Sequence, residues 1–139
     1  MESVREYLET QVLTASPHRL HLMVVDGAIR FARRGLQALE NKDWESLEAS
    51  LSRSRDCVTE LIAGLRADAS EELMTSLKSL FAFVFRNLAI ADPQRDPQLI
   101  RDAIRVLEIH RETWIALGEQ LQDSAPRDIP QPHAMSWTT

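Results

Sequence analysis

Histidine and acidic side chains are the residues of this chain that could hold a metal or transfer a proton. His18 and His21 lie three residues apart, so one helical face would carry both, but a metal site needs more ligands than the neighbouring sequence supplies. The Glu-x-x-His motif of di-iron bundles is absent, since Glu108 and His110 are only two residues apart. We therefore expect a surface pair of histidines at a helix start, a hydrogen-bonded structural histidine at His110, and no metal or other cofactor.

A catalytic nucleophile is also missing from the sequence patterns. Cys57 is the single cysteine and has no histidine within several residues, so we expect a buried, unreactive thiol. Neither a glycine-rich phosphate loop nor a G-x-S-x-G motif occurs. The sequence predicts a protein that is not an enzyme, although a metal-dependent enzyme that uses His18, His21 and His110 stays open as an alternative.

Composition restricts the partners as well. The chain has 139 residues, enough for one domain, and a net charge of −5, which disfavours binding to nucleic acid or to anionic membranes. The N-terminus lacks the pattern of a signal peptide, and no apolar run approaches the ~18 residues of a membrane span. These features predict a small soluble domain in the cytoplasm, without membrane insertion. The one tight basic cluster, Arg30, Arg33 and Arg34, is expected to be a solvated helix face.

Four N-cap signals divide the chain into four predicted helices. At each start a serine or aspartate precedes a proline or an acidic first turn, which satisfies free backbone N–H groups and suits the helix dipole. The predicted helices start after Ser16, Asp43, Ser70 and Asp96 and end near Asn41, Arg66, Pro93 and Gln122.

Apolar residues recur in alternating steps of three and four along all four segments, so each helix must bury one stripe against its neighbours. The short breaks force neighbouring helices to run antiparallel. The predicted fold is all-α, an antiparallel up-down-up-down four-helix bundle over residues 16–122, preceded by a short N-terminal docking segment over residues 1–15. Residues 123–139, with three prolines and no periodicity, are expected to form a disordered tail in which Trp137 is either exposed or a docking residue.

The first and third predicted helices carry more apolar residues than a bundle needs. A helix that faces a core on one side needs about three apolar residues in seven. Residues 20–39 contain 12 in 20 and residues 73–91 contain 13 in 19, where that rule gives about 9 and about 8. Phe83 and Ile90, seven residues apart, would lie together on one side of the third helix, and Met23 lies beside the main stripe of the first.

Two explanations of this surplus stay open. Either the two helices are more central in an irregular bundle and residues 1–15 cover the remainder, or the surplus forms a groove that receives an amphipathic segment of a partner. Both hold if the N-terminal segment covers the groove until a partner displaces it.

The order of these residues resembles the FliS family of flagellar export chaperones over roughly residues 4–121. A tyrosine, a TASP helix start and a following DGAI run form the most specific part of the resemblance. The residues of this first part are Tyr7, Val12, 14–17, Leu20, Leu22, Met23 and 26–29. The residues of a second part are Glu72, Leu73, Leu77, Leu80, Phe81, Phe83, Arg86, Leu88, Ala91 and Trp114.

The resemblance implies a cytosolic, non-enzymatic chaperone of the flagellar type III export system. Such a chaperone holds the disordered C-terminal segment of flagellin, prevents its premature polymerisation and presents it to the export gate. The alternative is a self-associating helical bundle with a structural or scaffold role, which would form a homodimer in the absence of a client.

The expected binding residues are apolar side chains of the first and third helices. We expect the partner to lie over Met23, Phe81, Phe83, Phe85 and Ile90, with Tyr7, Leu8 and Val12 as a displaceable cover. The resemblance further implies that Tyr7 belongs to the surface that meets the export gate. Phe81 and Phe83 stand where the family commonly has tyrosines, which makes the groove drier and less able to hydrogen-bond a partner.

Overall fold

The computed structural model describes residues 16–65 and 70–124, with side chains described up to residue 120. Four helices follow one another, α1 (Pro17–Glu40), α2 (Trp44–Ala63), α3 (Glu71–Gln94) and α4 (Pro97–Ser124). The described ranges contain no strand, and the predicted all-α four-helix bundle is confirmed. The predicted docking segment 1–15 and residues 125–139 of the predicted tail lie outside the described residues.

The predicted helix starts are confirmed by side-chain caps. The Oγ atom of Ser16 accepts a hydrogen bond from the Arg19 N–H at 3.2 Å, and the Oγ atom of Ser70 accepts one from the Leu73 N–H at 3.1 Å. Asp43 caps α2 in the same way. These caps satisfy N–H groups that a helix cannot satisfy internally, which explains why short sequence signals located the starts so well.

The observed helix ends agree less closely with the ends predicted from the sequence. α2 ends at Ala63, three residues earlier than predicted, with Gly64 as its C-cap. α3 continues through Pro93 to Gln94, because a proline in the last turn removes only one hydrogen bond. Arg95 then stops the helix in the left-handed conformation, with φ 52°.

The bundle is a square in which α1 and α3 occupy diagonal corners. α1 packs along α2 and α4, and α3 packs along the same two helices. Contacts between α1 and α4 fix an antiparallel arrangement, since His18 near the start of α1 bonds Trp114 near the end of α4, and Arg33 pairs with Glu108. The inward face of each helix is therefore determined by its two neighbours.

Apolar spacing predicts the inward stripes, and the core follows them in α1 and α2. The predicted stripe of α3, Leu73, Leu77, Leu80, Val84 and Ala91, differs from the observed one by a small rotation of the helix. Phe81 and Leu88 are fully buried, whereas Leu80 is only partly buried and Leu73 is 41% exposed. Trp44, assigned to the stripe of α2 by its spacing, is 42% exposed. The following core residues come from all four helices: Val25, Ala28, Ala32, Leu47, Leu51, Val58, Phe81, Val84, Leu88, Ile100, Ala103 and Leu107.

Two glycines of α1 lie in close contact with side chains of α2. An added Cβ at Gly35 would lie 2.6 Å from Cδ2 of Leu51, a side chain with no exposed surface. An added Cβ at Gly27 would lie 3.3 Å from Sγ of Cys57. The Oγ of Ser54 donates a 2.7 Å hydrogen bond to the Ala28 carbonyl between them, so this interface also satisfies its buried polar group.

We predict that Gly35→Ala destabilises the protein by about 1–3 kcal/mol, although alanine is the better helix former. The new methyl group would lie too close to Leu51, a side chain with no exposed surface, which would have to shift within the core. Gly27→Ala is the matched control, because its neighbour needs to move only slightly, and its effect should stay within about 0.5 kcal/mol. Urea denaturation measures both, and equal stability of the two variants would contradict the prediction.

Candidate binding surface on helices α3 and α4

α3 has more apolar surface than the core consumes. Its most apolar 18-residue window has a mean hydropathy of 1.3, yet only 28% of that window is buried. By length and composition alone such a helix could cross a membrane, but a core helix of a soluble bundle can be equally long and apolar. Because α3 packs along α2 and α4, its outward apolar side chains are a feature of the surface of the bundle.

Phe83 is the centre of this surface and is 39% exposed. It lies one turn before Asn87, whose Nδ2 donates a 3.2 Å hydrogen bond to the Leu99 carbonyl of α4. Residues one turn apart share a helical face, so Phe83 lies on the side of α3 that borders α4. Ile90, seven residues after Phe83, continues the same face and is partly buried.

α4 contributes the opposite side of the surface. Val106 lies seven residues after Leu99 and is partly buried against the core, and Ile109, one turn further, is 51% exposed. The ring contact between Phe81 and His110 sets the level of these residues beside Phe83 in the antiparallel pair. We call Phe83, Ile90, Val106 and Ile109 the α3–α4 apolar surface.

The structure brings together only some of the residues expected to bind a partner. Phe81 is fully buried, which corrects the expectation that it lines an open groove: the rotation of the α3 stripe turns its ring towards His110 and His21. Phe85 is 37% exposed. It follows Phe83 by two residues, a rotation of about 200° around the helix axis, so it lies on the other flank of α3. Met23, partly buried on α1, is on the helix diagonal to α3.

Tyr7, Leu8 and Val12 lie outside the described residues. Val106 and Ile109 were missed because the apolar count of α4 is close to the expected number for a bundle helix. Their position off the main stripe of α4 was the signal that could have identified them.

A cluster of aromatic rings joins the start of α1 to α4. Nε2 of His21 and Nε2 of His110 are 2.7 Å apart and share a hydrogen bond, and the His21 ring stacks on Trp114 with centroids 4.1 Å apart. Nε2 of His18 donates to the Trp114 carbonyl at 2.7 Å, and the Trp114 indole N–H donates to the His18 carbonyl at 3.2 Å. The expected surface pair is therefore wrong for His21, while the structural role expected for His110 is confirmed.

The charge state of this cluster follows from its burial. Burial, together with the neighbouring His110 and His18, lowers the pKa of His21 to about 4. Burial also lowers the pKa of His110. Both rings are therefore neutral near pH 7, which suits a shared hydrogen bond in which one nitrogen donates and the other accepts.

Catalytic chemistry has little support in this geometry. Across residues 16–65 and 70–120, no three histidine, cysteine or acidic side chains converge as metal ligands. Cys57 is partly buried, and burial raises the pKa of its thiol, which keeps it protonated and weakly nucleophilic. The features that stand out are an all-helical scaffold and an exposed apolar surface, which suit a protein that binds other polypeptides.

Comparisons with known proteins identify the family. The sequence matches the family described as flagellar protein FliS over residues 1–121. The chain is 28% identical over 108 residues to the flagellar secretion chaperone FliS of Bacillus subtilis, covering 78% of this chain and 80% of the relative. It is 32% identical over 108 residues to that of Salmonella typhimurium, covering 77% and 80%.

The chain therefore belongs to the FliS family, and its role is that of a chaperone in flagellar export. Membership implies interaction with proteins of the flagellar export system. It also implies a role that is not enzymatic.

We predict that the paired histidines make the bundle less stable in mild acid. The pKa of His21 in the folded protein, about 4, lies below its ordinary value of 6.5, so between these values the unfolded chain binds the proton preferentially. The contribution of His21 to the free energy of unfolding is fully present above pH 6.5 and is lost as the pH drops towards 4. With allowance for the partial exposure of the ring, the loss between about pH 7 and 5 is about 1 kcal/mol.

Urea denaturation across this pH range measures the effect. His21→Gln keeps a hydrogen-bonding group beside His110 but cannot titrate, so its stability should change less between the same pH values. An equally steep pH dependence in His21→Gln and the unaltered protein would show that other groups are responsible.

Proposed function

We propose that this chaperone binds the disordered C-terminal segment of flagellin in the cytoplasm, prevents its premature polymerisation, and presents it to the export gate. The observation that carries the proposal is the α3–α4 apolar surface, exposed beside a core that is already complete. Phe83 and Ile109 leave 39% and 51% of their surface in water, which costs free energy in the absence of a partner.

The shape of the surface suits an amphipathic helix. Phe83 and Ile90 are seven residues apart on α3, about 10 Å along its axis, and Val106 and Ile109 lie on the neighbouring α4. A client helix laid along the seam between α3 and α4 would bury its apolar stripe against both. That stripe is the part of a filament subunit that self-associates, so covering it opposes polymerisation.

Release of the client follows from its disorder in the free state. A segment that folds only on binding loses conformational entropy at that moment, which lowers the affinity obtained from a given apolar area. A chaperone that delivers its client for export needs this lowered affinity, because the complex must form and must also dissociate.

The remaining expected residues fit a client that wraps around the bundle. Met23 on α1 and Phe85 on the far flank of α3 are outlying contact points that one straight helix on the α3–α4 apolar surface does not reach. Tyr7, Leu8 and Val12 are proposed as a cover that the client displaces, and Tyr7 as a contact to the export gate. Phe81 supports this surface from within the core.

We predict that Phe83→Asp raises the Kd for a flagellin C-terminal peptide by at least about tenfold, because a carboxylate would be desolvated beneath the bound helix. Isothermal titration calorimetry measures the Kd. Thermal unfolding should change little, within about 4 °C, since Phe83 lies outside the core.

Leu73→Asp is the matched control for this experiment. Leu73 has a similar exposed fraction, 41%, but lies in the first turn of α3, ten residues from Phe83. The Kd of the Leu73→Asp variant for the flagellin C-terminal peptide should stay close to that of the unaltered protein. A large fall in Tm for Phe83→Asp would place its ring in the core, and equal Kd values for both variants would refute the proposed surface.

The alternative function, a self-associating bundle with a structural or scaffold role, draws on the same exposed side chains. Two copies could pair through Phe83 and Ile109 and remove both from water. We predict that light scattering of the chaperone mixed with the flagellin C-terminal peptide gives the mass of one chaperone and one peptide. A stable dimer that the peptide leaves unchanged would favour the scaffold.

A further inference from the structure

Positive charge is concentrated around one aromatic ring on the side of α1 that borders α2. The guanidinium carbons of Arg30, Arg34 and Arg53 lie 5.3, 5.4 and 5.7 Å from the centroid of the Phe31 ring. The ring attracts each cation, but the three cations repel one another at this spacing. A negatively charged ligand would therefore stabilise these three arginines by reducing their mutual repulsion.

No direct ion pair within the described residues neutralises these three arginines. Arg33, next to the group, forms an ion pair with Glu108. Within the described ranges, no carboxylate oxygen lies within 4.0 Å of a guanidinium nitrogen of the other three. All three side chains are on the exposed surface, in a chain whose net charge is −5. The local charge is thus opposite in sign to that of the whole protein.

An open cleft of about 530 Å³ runs along the side of α1 that borders α4, and Arg30 and Arg34 line both this cleft and the group around Phe31. Its floor includes Ile29, which is 5% exposed, and its ends are at Asp26 and Gln37. Eleven residues of helix separate those ends, a length of about 16 Å. The remaining lining residues are Arg30, Arg33 and Arg34.

We propose that this arginine face, Arg30, Arg34 and Arg53 with the adjoining cleft, binds an acidic helical segment of a partner protein. Carboxylates spaced one turn apart would pair with the guanidinium groups of Arg30 and Arg34, which are themselves one turn apart. The length of the cleft corresponds to about three helical turns of such a segment.

A protein segment fits better than a nucleic acid. The overall charge of −5 opposes the approach of a long phosphate chain, whereas a short acidic segment meets only the local field. The three guanidinium groups also cover Phe31, so the ring offers no open platform on which bases would stack.

The arginine face and the α3–α4 apolar surface lie on different sides of the molecule. α1 and α3 are diagonal, and the exposed arginines point away from the core and so away from α3. The two surfaces are therefore separate, and an acidic segment bound to the arginine face leaves the α3–α4 apolar surface free. This inference does not depend on the identity of that client.

Fluorescence anisotropy with a labelled amphipathic peptide of about 18 residues, glutamates on one face and leucines on the other, tests the proposal. Binding should weaken as salt is raised, because exposed charges are screened. Arg30→Glu with Arg34→Glu should raise the Kd by at least about tenfold. Arg86→Glu with Arg105→Glu, two exposed arginines on α3 and α4, makes the same change in net charge and should leave the Kd within about twofold.

Other results would overturn the proposal. Equal losses of peptide affinity in the two double variants would mean that binding depends only on the net charge of the protein. Tighter binding of labelled single-stranded poly(dT) than of the acidic peptide would favour a nucleic acid, and a change from dimer to monomer in the Arg30 and Arg34 variant would make the face a self-association surface. Arg30→Gln with Arg34→Gln replaces the glutamate variant if circular dichroism shows that the latter is unfolded, and an unchanged Kd there would equally refute the proposal.

Discussion

Each helix of a four-helix bundle turns only one stripe towards the interior, and that limit decides which apolar side chains of this chaperone remain in water. In α3 the inward stripe runs through Leu77, Val84 and Ala91, all of which are buried. Phe83 is one residue from Val84, about 100° around the helix, so it cannot share that stripe. An apolar helix in this architecture must therefore expose part of its surface, whatever the quality of the core.

The diagonal placement of α1 and α3 has a second effect, because the two helices with surplus apolar residues do not share a surface. The excess on α3 borders α4, where Val106 and Ile109 extend it. The outer side of α1 carries arginines instead, and its partly buried Met23 lies apart from Phe83. One scaffold thus presents an apolar side and a basic side, two surfaces of different chemistry on opposite parts of the bundle.

The helix starts, their order and the class of fold were all predictable from the sequence, because caps and apolar periodicity are local properties. The inward face of α3 was not predictable, since 13 apolar residues in 19 leave the phase of the stripe undetermined. Phe81 consequently lies inside and Leu73 outside. Trp44 also lies outside the core, where its ring contacts a residue distant in sequence: the guanidinium carbon of Arg95 is 4.0 Å from the ring centroid. The candidate site depended on such pairings between helices, which spacing along one helix does not reveal.

The turn between α3 and α4 consists only of Arg95 and Asp96. Every member of the α3–α4 apolar surface, from Phe83 to Ile109, therefore belongs to one helical hairpin of contiguous sequence. Closing so short a loop loses little chain entropy, and contacts between residues near in sequence form early during folding. Pairing of the two helices that carry the region proposed to receive the client therefore needs the closure of only one two-residue loop.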